Sequence, residues 1–276
     1  MVKYNRFNHE NKIFNHSNWE ITKSIIDGSI NQRVSPILTL DLTDKCNYNC
    51  LYCIDKKLVK QKENKEISWD TLSNLLIDLK LKGCKGIEIS GGGEPTLYSH
   101  FKDFLLLCSK LNFRLALISN GSMLYKYIDE INTSPFDWIR VSLDAACSET
   151  HSLVHNVNSD FSLLIESISK ISKKHVLGIS FLITDYNYDE IYKATVLSKK
   201  IGAKYIEFKP LNNNYKSDYS TNEKYKKDIM YQLEKSFALE DKSFKVYSPS
   251  TLLNWLEPNN FVNDSFFALQ RIIGVF

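Results

Sequence analysis

Runs of β-branched and leucine residues recur along the chain between about residues 36 and 210, and each is followed by a segment with apolar residues at helical spacing. Short apolar runs are typical of buried strands, and apolar residues three and four apart are typical of amphipathic helices. Six strands are predicted, at residues 36–42, 86–90, 114–118, 138–143, 177–183 and 204–209. Helices are predicted around them, at residues 19–30, 69–82, 101–111, 124–131, 161–172 and 188–201.

This alternation of strands and helices predicts an α/β fold with a parallel sheet and right-handed crossovers. Ser68 is placed to cap the helix that begins at Trp69. Six units fit either a partial (β/α)6 barrel of the TIM type or a doubly wound sheet. The pattern alone leaves both architectures open.

The pattern also divides the chain into three parts. Residues 1–35 are predicted to form an N-terminal extension, residues 36–212 the core domain, and residues 213–276 a C-terminal extension. That extension contains a charged helix at about 223–237 and a strand at 244–247. Because the final residues after Arg271 form an apolar, strand-like run, this end is expected to be truncated or to pack against a partner or the core.

Composition narrows the classes of function. The 35 basic and 32 acidic residues leave a formal charge of only +3, which gives no reason to expect a nucleic-acid partner. The first 16 residues lack the apolar stretch of a signal peptide, and no apolar run has the length of a membrane span. A cytoplasmic protein without a membrane partner is expected, and its thiols should stay reduced.

Three of the six cysteines, Cys46, Cys50 and Cys53, fall within eight residues directly after the first predicted strand. Three thiolates spaced C-x3-C-x2-C suit three corners of an iron–sulfur cube and leave one iron without a protein ligand. A zinc site is the alternative, but structural zinc needs four ligands, and Cys84 and His100 are the next candidates along the chain.

Polar motifs follow the next three strands. A glycine triplet and Glu94 follow the second strand, and residues 119–121 (Ser-Asn-Gly) follow the third. Residues 140–145 (Arg-Val-Ser-Leu-Asp-Ala) end the fourth. Glycines allow a backbone to approach a ligand closely, and a carboxylate can pair with an ammonium group. Since parallel α/β folds bind ligands at the carboxyl edge of the sheet, these groups are predicted to share one site.

The cysteine motif and the order of the later motifs resemble the radical S-adenosylmethionine (SAM) superfamily. The resemblance covers about residues 36 to 210 and implies a partial barrel with a [4Fe–4S] cluster on Cys46, Cys50 and Cys53. It also implies SAM as cofactor. Tyr52, beside Cys53, is expected to shield the cluster from solvent, with ordinary loop packing as the alternative. The residues that it implies for SAM binding follow the strands: Gly92, Gly93, Glu94, Ser119, Asn120, Ser142 and Asp144. Glu94 and its glycines would bind the methionine amino group.

The activity implied by the resemblance is reductive cleavage of SAM to a 5′-deoxyadenosyl radical that abstracts hydrogen from a substrate. An external electron donor of the flavodoxin or ferredoxin type is implied as well. The motif set is most similar to the peptide-modifying subgroup, although no cysteine for an auxiliary cluster follows Cys147. A small molecule such as a sugar, nucleoside or amino acid is the alternative substrate. A zinc-binding, non-catalytic protein is the alternative of another class.

The remaining candidates are interpreted as ordinary structural residues. Cys84 and Cys108 are predicted to be small core or surface residues, and Cys147 is a minor catalytic candidate. A surface position is expected for His151 and His155, although they lie four residues apart. Arg140 in strand four is expected to be a surface residue, and Lys209 at the end of strand six is expected to be solvated, with contact to substrate as the alternative. For Gly178, a packing role competes with close approach to the adenine of SAM.

Overall fold

The structure is a computed structural model, and it describes Asp27 and residues 35–53, 65–211 and 223–248. In these residues seven strands form one parallel sheet, in the order of the chain. The strands are β1 (Ile37–Asp41), β2 (Gly86–Ser90), β3 (Arg114–Ser119), β4 (Phe136–Ser142), β5 (Leu177–Leu182), β6 (Tyr205–Lys209) and β7 (Lys245–Tyr247). The first six confirm the predicted strands, and the open sheet confirms the α/β fold of the partial-barrel type.

Helices connect consecutive strands of this sheet. They are α1 (Trp69–Leu81), α2 (Phe101–Lys110), α3 (Ile128–Thr133), α4 (Ser148–His155), α5 (Phe161–Ser172), α6 (Ile191–Lys200) and α7 (Glu223–Phe237). Short 3-10 turns, at Leu124–Tyr127 and Tyr188–Glu190, precede α3 and α6. The predicted cap of α1 is confirmed, because the Ser68 hydroxyl accepts a hydrogen bond from the Thr71 amide at 3.3 Å.

The C-terminal helix and strand continue the alternation of strands and helices in the core. Strand β7 pairs in parallel with β6, so the predicted strand at 244–247 joins the main sheet as a seventh unit. The buried Ile229 and Leu233 lie one turn apart on α7, and both belong to the common hydrophobic core. The predicted helix at 19–30 lies outside the described residues, apart from Asp27.

The two faces of the sheet differ in chemistry because side chains alternate along each strand. Apolar residues of one parity are buried in the core beneath the helices, such as Ile87, Leu117 and Ile179. The opposite parity carries polar residues, and the register places Ser142 of β4 beside Ser180 of β5. The sheet therefore presents a polar face that leads to the carboxyl ends of its strands.

Helix α4 was not predicted, and the surface position expected for its two histidines is wrong. His151 is fully buried and His155 is only 2% exposed. The helix is short and has little apolar character of its own, so its sequence gives a weak helical pattern. Its burial comes from contacts with distant residues, among them Tyr48, whose ring centroid lies 5.6 Å from that of His151.

The burial of His151 predicts a loss of stability in acid. Burial, and to a smaller extent the neighbouring His155, lowers the pKa of His151 from 6.5 to about 3. Below pH 6.5 His151 is protonated in the unfolded chain but stays neutral in the folded protein. The free energy of unfolding therefore falls as the pH is lowered from 6.5 toward 3. We expect a slope of up to about 1.4 kcal/mol per pH unit, which His151→Leu should reduce. Urea unfolding of both proteins between pH 4.5 and 7.5 would measure it, and parallel slopes would contradict it.

Among the described residues, no helix has both the length and the apolar character that crossing a bilayer requires.

Candidate active site

The cysteine loop, residues 43–53, leaves the carboxyl end of β1 and rests against the end of α4. The amides of Asn49 and Leu51 donate to the carbonyl oxygens of His155 and Val154, each at 3.1 Å. The last carbonyl groups of a helix have no partner within the helix, so an approaching loop can satisfy them. Helix α4 therefore holds the backbone on both sides of Cys50.

The glycine turn after β2 holds the same loop from its other side. The Glu94 amide donates to the Lys45 carbonyl oxygen at 2.7 Å. A Cβ atom on Gly93 would lie 2.3 Å from that same oxygen and 2.6 Å from the Thr43 carbonyl oxygen. Gly93 thus allows a close approach, as its sequence predicts, but the backbone that approaches it here belongs to the cysteine loop.

We expect Gly93→Ala to separate the two segments. The added methyl group would collide with backbone atoms, so the free energy of unfolding should fall by about 1–3 kcal/mol. Chemical denaturation of the metal-free protein would measure the loss. Gly86→Ala on β2 is the matched control, because its nearest contact would be 3.3 Å and its cost should be smaller. Equal stability of Gly93→Ala and the parent would contradict this packing role.

Glu94 joins the turns after β2 and β3. Its buried carboxylate accepts hydrogen bonds through Oε1 from the Thr96 amide, the Thr96 hydroxyl and the Ser119 hydroxyl, at 3.1, 2.5 and 2.8 Å. Oε2 accepts from the Asn120 amide at 2.7 Å. Burial raises the pKa of Glu94, while these four donors oppose that shift. The carboxylate fixes the position of one turn relative to the other.

The turn after β3 reaches back to the cysteine loop. The Asn120 side-chain amide donates to Asn47 Oδ1 at 3.0 Å, and its Nδ2 lies 4.0 Å from Cys46 Sγ. The side-chain amide of Asn47 in turn donates to the Ser122 hydroxyl at 2.8 Å. Ser119 and Asn120, which the sequence placed in one site with the cysteines, lie within one network of hydrogen bonds beside them.

The segment after β4 approaches the loop from a third direction. Asp144 has a left-handed backbone with φ of 52°, and its Oδ1 accepts from the Leu182 amide at 2.7 Å. Burial raises the pKa of the Asp144 carboxyl group, and the nearby His155 opposes the shift. Ser142 ends β4 on the polar face of the sheet. Both predicted residues therefore lie at the carboxyl edge, and Asp144 is tied into the protein by its own hydrogen bonds.

The three thiols match the donor set of an iron–sulfur cluster. Cys46 is exposed, Cys50 and Cys53 are partly buried, and none is in a disulfide. Burial raises the pKa of the Cys50 thiol to about 12, with further contributions from Asp144, Cys46 and Cys53. Such mutual repulsion between thiolates is relieved when a cationic metal binds them. Within the described ranges no three His, Cys, Asp or Glu side chains are already gathered as a metal site.

This difference in burial predicts unequal thiol reactivity in the metal-free protein. Cys46 should be alkylated by iodoacetamide at pH 8 at least about tenfold faster than Cys50, since the thiolate is the reactive form. Mass spectrometry of digested samples would give both rates. Buried Cys84 and Cys108 are internal controls that should react only after unfolding. Equal rates at Cys46 and Cys50 would contradict the environment described for Cys50.

Tyr52 and Gly92 complete the predicted set. Tyr52 is partly buried and packs against the core, and its ring centroid lies 6.4 Å from that of Tyr186, which follows β5. Gly92 is partly buried between two glycines of the turn. Both residues lie at the carboxyl edge of the sheet with the cysteine loop.

Several residues outside the predicted site are packed against, or bonded to, other parts of the protein. Cys84 and Cys108 lie in the core, as one of their two predictions stated, and Cys147 contacts Glu190 Oε1 at 3.3 Å. A Cβ on Gly178 would lie 2.1 Å from the ring of Tyr205, which favours the packing role.

The surface position expected for Arg140 is wrong, because its side chain is only 17% exposed, whereas the Lys209 side chain keeps 34% of its surface exposed. Arg140 donates to Glu207 Oε2 at 3.0 Å, and Lys209 Nζ lies 3.4 Å from the same oxygen. Burial lowers the pKa of Lys209, with Arg140 adding to the effect. The sheet register places both basic residues on the polar face.

His155 is the residue at this site that sequence reasoning missed. Its Nδ1 lies 3.1 Å from Cys50 Sγ, and its Nε2 lies 3.1 Å from the Leu143 carbonyl oxygen. The spacing of His151 and His155 was the available signal, since residues four apart share one helix face. The direction in which that face points depends on a loop 105 residues earlier in the chain.

Comparisons with known proteins agree with this arrangement. The model of the Radical SAM superfamily matches residues 40–195. A GTP 3′,8-cyclase from Clostridium acetobutylicum is 26% identical over 185 residues, 65% of this chain and 58% of that protein. An S-adenosylmethionine-dependent nucleotide dehydratase from a Thermoplasmatales archaeon (strain ISO4-H5) is 35% identical over 101 residues, 37% of this chain and 35% of that protein.

A solved structure supports the fold. Streptococcus suis SuiB bound to S-adenosylmethionine superposes with a TM-score of 0.66 at 14% identity, over 91% of this chain and 58% of that one. The chain spans 58–61% of the length of the GTP 3′,8-cyclases that it matches. The family match covers more than half of the chain and contains both the cysteine loop and the glycine turn. This chain belongs to the radical SAM superfamily of enzymes.

Proposed function

We propose that this protein cleaves SAM reductively at a [4Fe–4S] cluster held by Cys46, Cys50 and Cys53. One observation carries the proposal: the cysteine loop is fixed at the carboxyl edge of the sheet by the glycine turn on one side and by α4 on the other. When bound, the cluster supplies one electron that breaks the C5′–S bond of SAM, and the 5′-deoxyadenosyl radical so formed abstracts hydrogen from the substrate.

The chain's own residues would bind and orient SAM beside the cluster. The positive charge of the methionine ammonium favours a position near Glu94, whose four hydrogen bonds hold its carboxylate in place. Gly92 would leave room for the ligand beside the backbone, while Gly93 admits the cysteine loop to the same turn. Ser119, Asn120, Ser142 and Asp144 supply polar groups for the methionine and ribose.

Exposure suggests how electrons and water are handled. Cys46 is the exposed member of the three cysteines, so an external donor of the flavodoxin or ferredoxin type would approach from its side. Tyr52 packs against the core beside Cys53 and would exclude water from the cluster.

The first candidate substrate is a ribosomally made peptide. Streptococcus suis SuiB, whose fold matches 91% of this chain with a TM-score of 0.63, has been solved bound to its precursor peptide SuiA. The motif set is also most similar to that of the peptide-modifying subgroup. The polar face of the sheet, with Arg140, Glu207 and Lys209, offers charged groups to such a substrate.

A nucleotide is the second candidate. It is favoured by the relatives named GTP 3′,8-cyclase and S-adenosylmethionine-dependent nucleotide dehydratase, whose similarity lies in the sequence. Arg140 and Lys209 are cations of the kind that bind phosphates.

Anaerobic reconstitution tests the proposal. About four irons and four sulfides per chain are expected, together with 5′-deoxyadenosine when SAM and dithionite are added. One zinc per chain and no cleavage of SAM would overturn the proposal in favour of a zinc-binding, non-catalytic protein. Stimulation of 5′-deoxyadenosine release by a short peptide encoded beside the gene would support the peptide substrate. Stimulation by nucleoside triphosphates alone would support the nucleotide.

A further inference from the structure

His155 holds the cysteine loop with both its backbone and its side chain. Its carbonyl oxygen accepts from the Asn49 amide, and its Nδ1 contacts Cys50 Sγ at 3.1 Å. The preceding carbonyl, of Val154, accepts from Leu51. Three successive residues of the loop, with Cys50 in the middle, are thus held by the last two residues of one helix.

The far side of the imidazole ring is held as firmly. Nε2 lies 3.1 Å from the Leu143 carbonyl oxygen and 3.8 Å from Asp144 Oδ2. The ring also packs against Tyr48 and His151, with centroid separations of 5.2 and 4.6 Å. Because the side chain is almost fully buried, its orientation toward Cys50 is fixed by the protein.

The direction of the hydrogen bond follows from the chemistry of sulfur. A thiol can donate to an imidazole nitrogen, but a sulfur that ligates iron has lost its hydrogen and can only accept. The hydrogen in the 3.1 Å contact must then be carried by Nδ1. The contact of Nε2 with the Leu143 carbonyl oxygen, beside the Asp144 carboxylate, keeps the ring turned so that Nδ1 faces Cys50.

We propose that His155 is a positioning residue that donates the Nδ1 hydrogen bond to the Cys50 sulfur and thereby raises the reduction potential of the cluster and strengthens its retention. The inference rests on the proposed function, since it requires a cluster on the three cysteines. A hydrogen bond to a ligating sulfur withdraws electron density from it, which stabilises the reduced cluster. Neighbours that orient metal ligands typically contribute 10–100-fold to metal affinity.

Two amide replacements separate the contacts of the ring. In His155→Asn the side-chain nitrogen can occupy the place of Nδ1 and donate to Cys50. In His155→Gln the nitrogen can reach the place of Nε2 and keep the contact with Leu143. His155→Leu removes both contacts and keeps an apolar side chain in the buried site. The matched control is His151→Leu. It removes another buried imidazole from the same helix, but that imidazole contacts the Ser159 hydroxyl and not the Cys50 sulfur.

The experiment is a redox titration of the four reconstituted full-length variants and the parent, followed by electron paramagnetic resonance. At a fixed ambient potential, His155→Leu and His155→Gln should hold about tenfold less reduced cluster relative to oxidised cluster, a shift of ~59 mV to lower potential. They should also lose iron to a chelator at least about tenfold faster. His155→Asn and His151→Leu should stay close to the parent in both measurements.

The possible outcomes decide between the inference and its alternatives. Potentials and iron loss that are the same in all His155 variants would overturn the role of His155 and leave the proposed function intact. Equal shifts in His155→Asn, His155→Leu and His151→Leu would also overturn it, because general loosening of α4 would then be the cause. A parent protein that holds no iron–sulfur cluster would overturn both proposals. Thermal unfolding of the metal-free variants identifies any that fail to fold, and the Asn and Gln pair then decides the matter.

Discussion

Cys50→Ala is expected to lose the cluster and, with it, all cleavage of SAM. The thiol is the central donor of the three cysteines and contacts His155, and both neighbouring residues are hydrogen-bonded to α4. Removing a direct ligand should reduce iron binding by more than the roughly 10–100-fold that loss of an outer partner costs. Iron and sulfide analysis and 5′-deoxyadenosine formation measure the two effects.

The matched control for this prediction is Cys84→Ala. Cys84 is also buried, but its sulfur contacts backbone carbonyl groups at the starts of β1 and β2. That variant should lose some stability and keep its full iron content. A Cys50→Ala protein with parental iron content and activity would remove this cysteine from the site.

Among the substitutions considered above, Glu94→Ala is expected to cause the largest fall in the free energy of unfolding of the metal-free protein. Four donors, two of them backbone amides, would lose their buried acceptor. Each buried donor left without a partner costs about 1–3 kcal/mol, and the hydroxyl groups can turn to other acceptors. A net loss of about 3–5 kcal/mol follows, together with loss of SAM binding, and urea unfolding and equilibrium dialysis measure them.

Glu94→Gln refines that prediction. The amide keeps an oxygen for the three donors at Oε1 but presents its NH2 group to the Asn120 amide, which is also a donor. We expect a smaller loss, about 1–3 kcal/mol. Glu166→Gln on α5 is the control, because its ion pair with Lys170 is exposed and should contribute less than about 1 kcal/mol. A Glu94→Ala protein as stable as this control would contradict the role of the carboxylate.

Much of the fold follows from local patterns. The six strands, the Ser68 cap and the boundaries of α5 depend on residues close to one another in the chain, so they could be predicted. The convergence of the cysteine loop and the later motifs could be predicted as well, because polar motifs that end successive parallel strands meet at one edge. The pairing of β7 with β6 could not be predicted, because the three residues of β7 do not indicate which strand they pair with.

The parts of the site that could not be predicted depend on contacts between distant residues. His155 shares a helix face with His151, but that face is buried only because the cysteine loop, about one hundred residues earlier, packs on it. Gly93 was interpreted as room for a ligand, and its neighbour is the backbone of the chain itself. Glu94 was interpreted from its charge, whereas its partners Ser119 and Asn120 lie 25 and 26 residues away.

The central claim is that the three cysteines hold a four-iron cluster with one iron open to SAM. Mössbauer spectra of the anaerobically reconstituted, 57Fe-labelled protein, recorded with and without SAM, test it most directly. The proposal predicts about four irons per chain, one of which changes its signal when SAM binds while the other three do not. A spectrum without a cluster, or a cluster in which no iron responds to SAM, would contradict the claim.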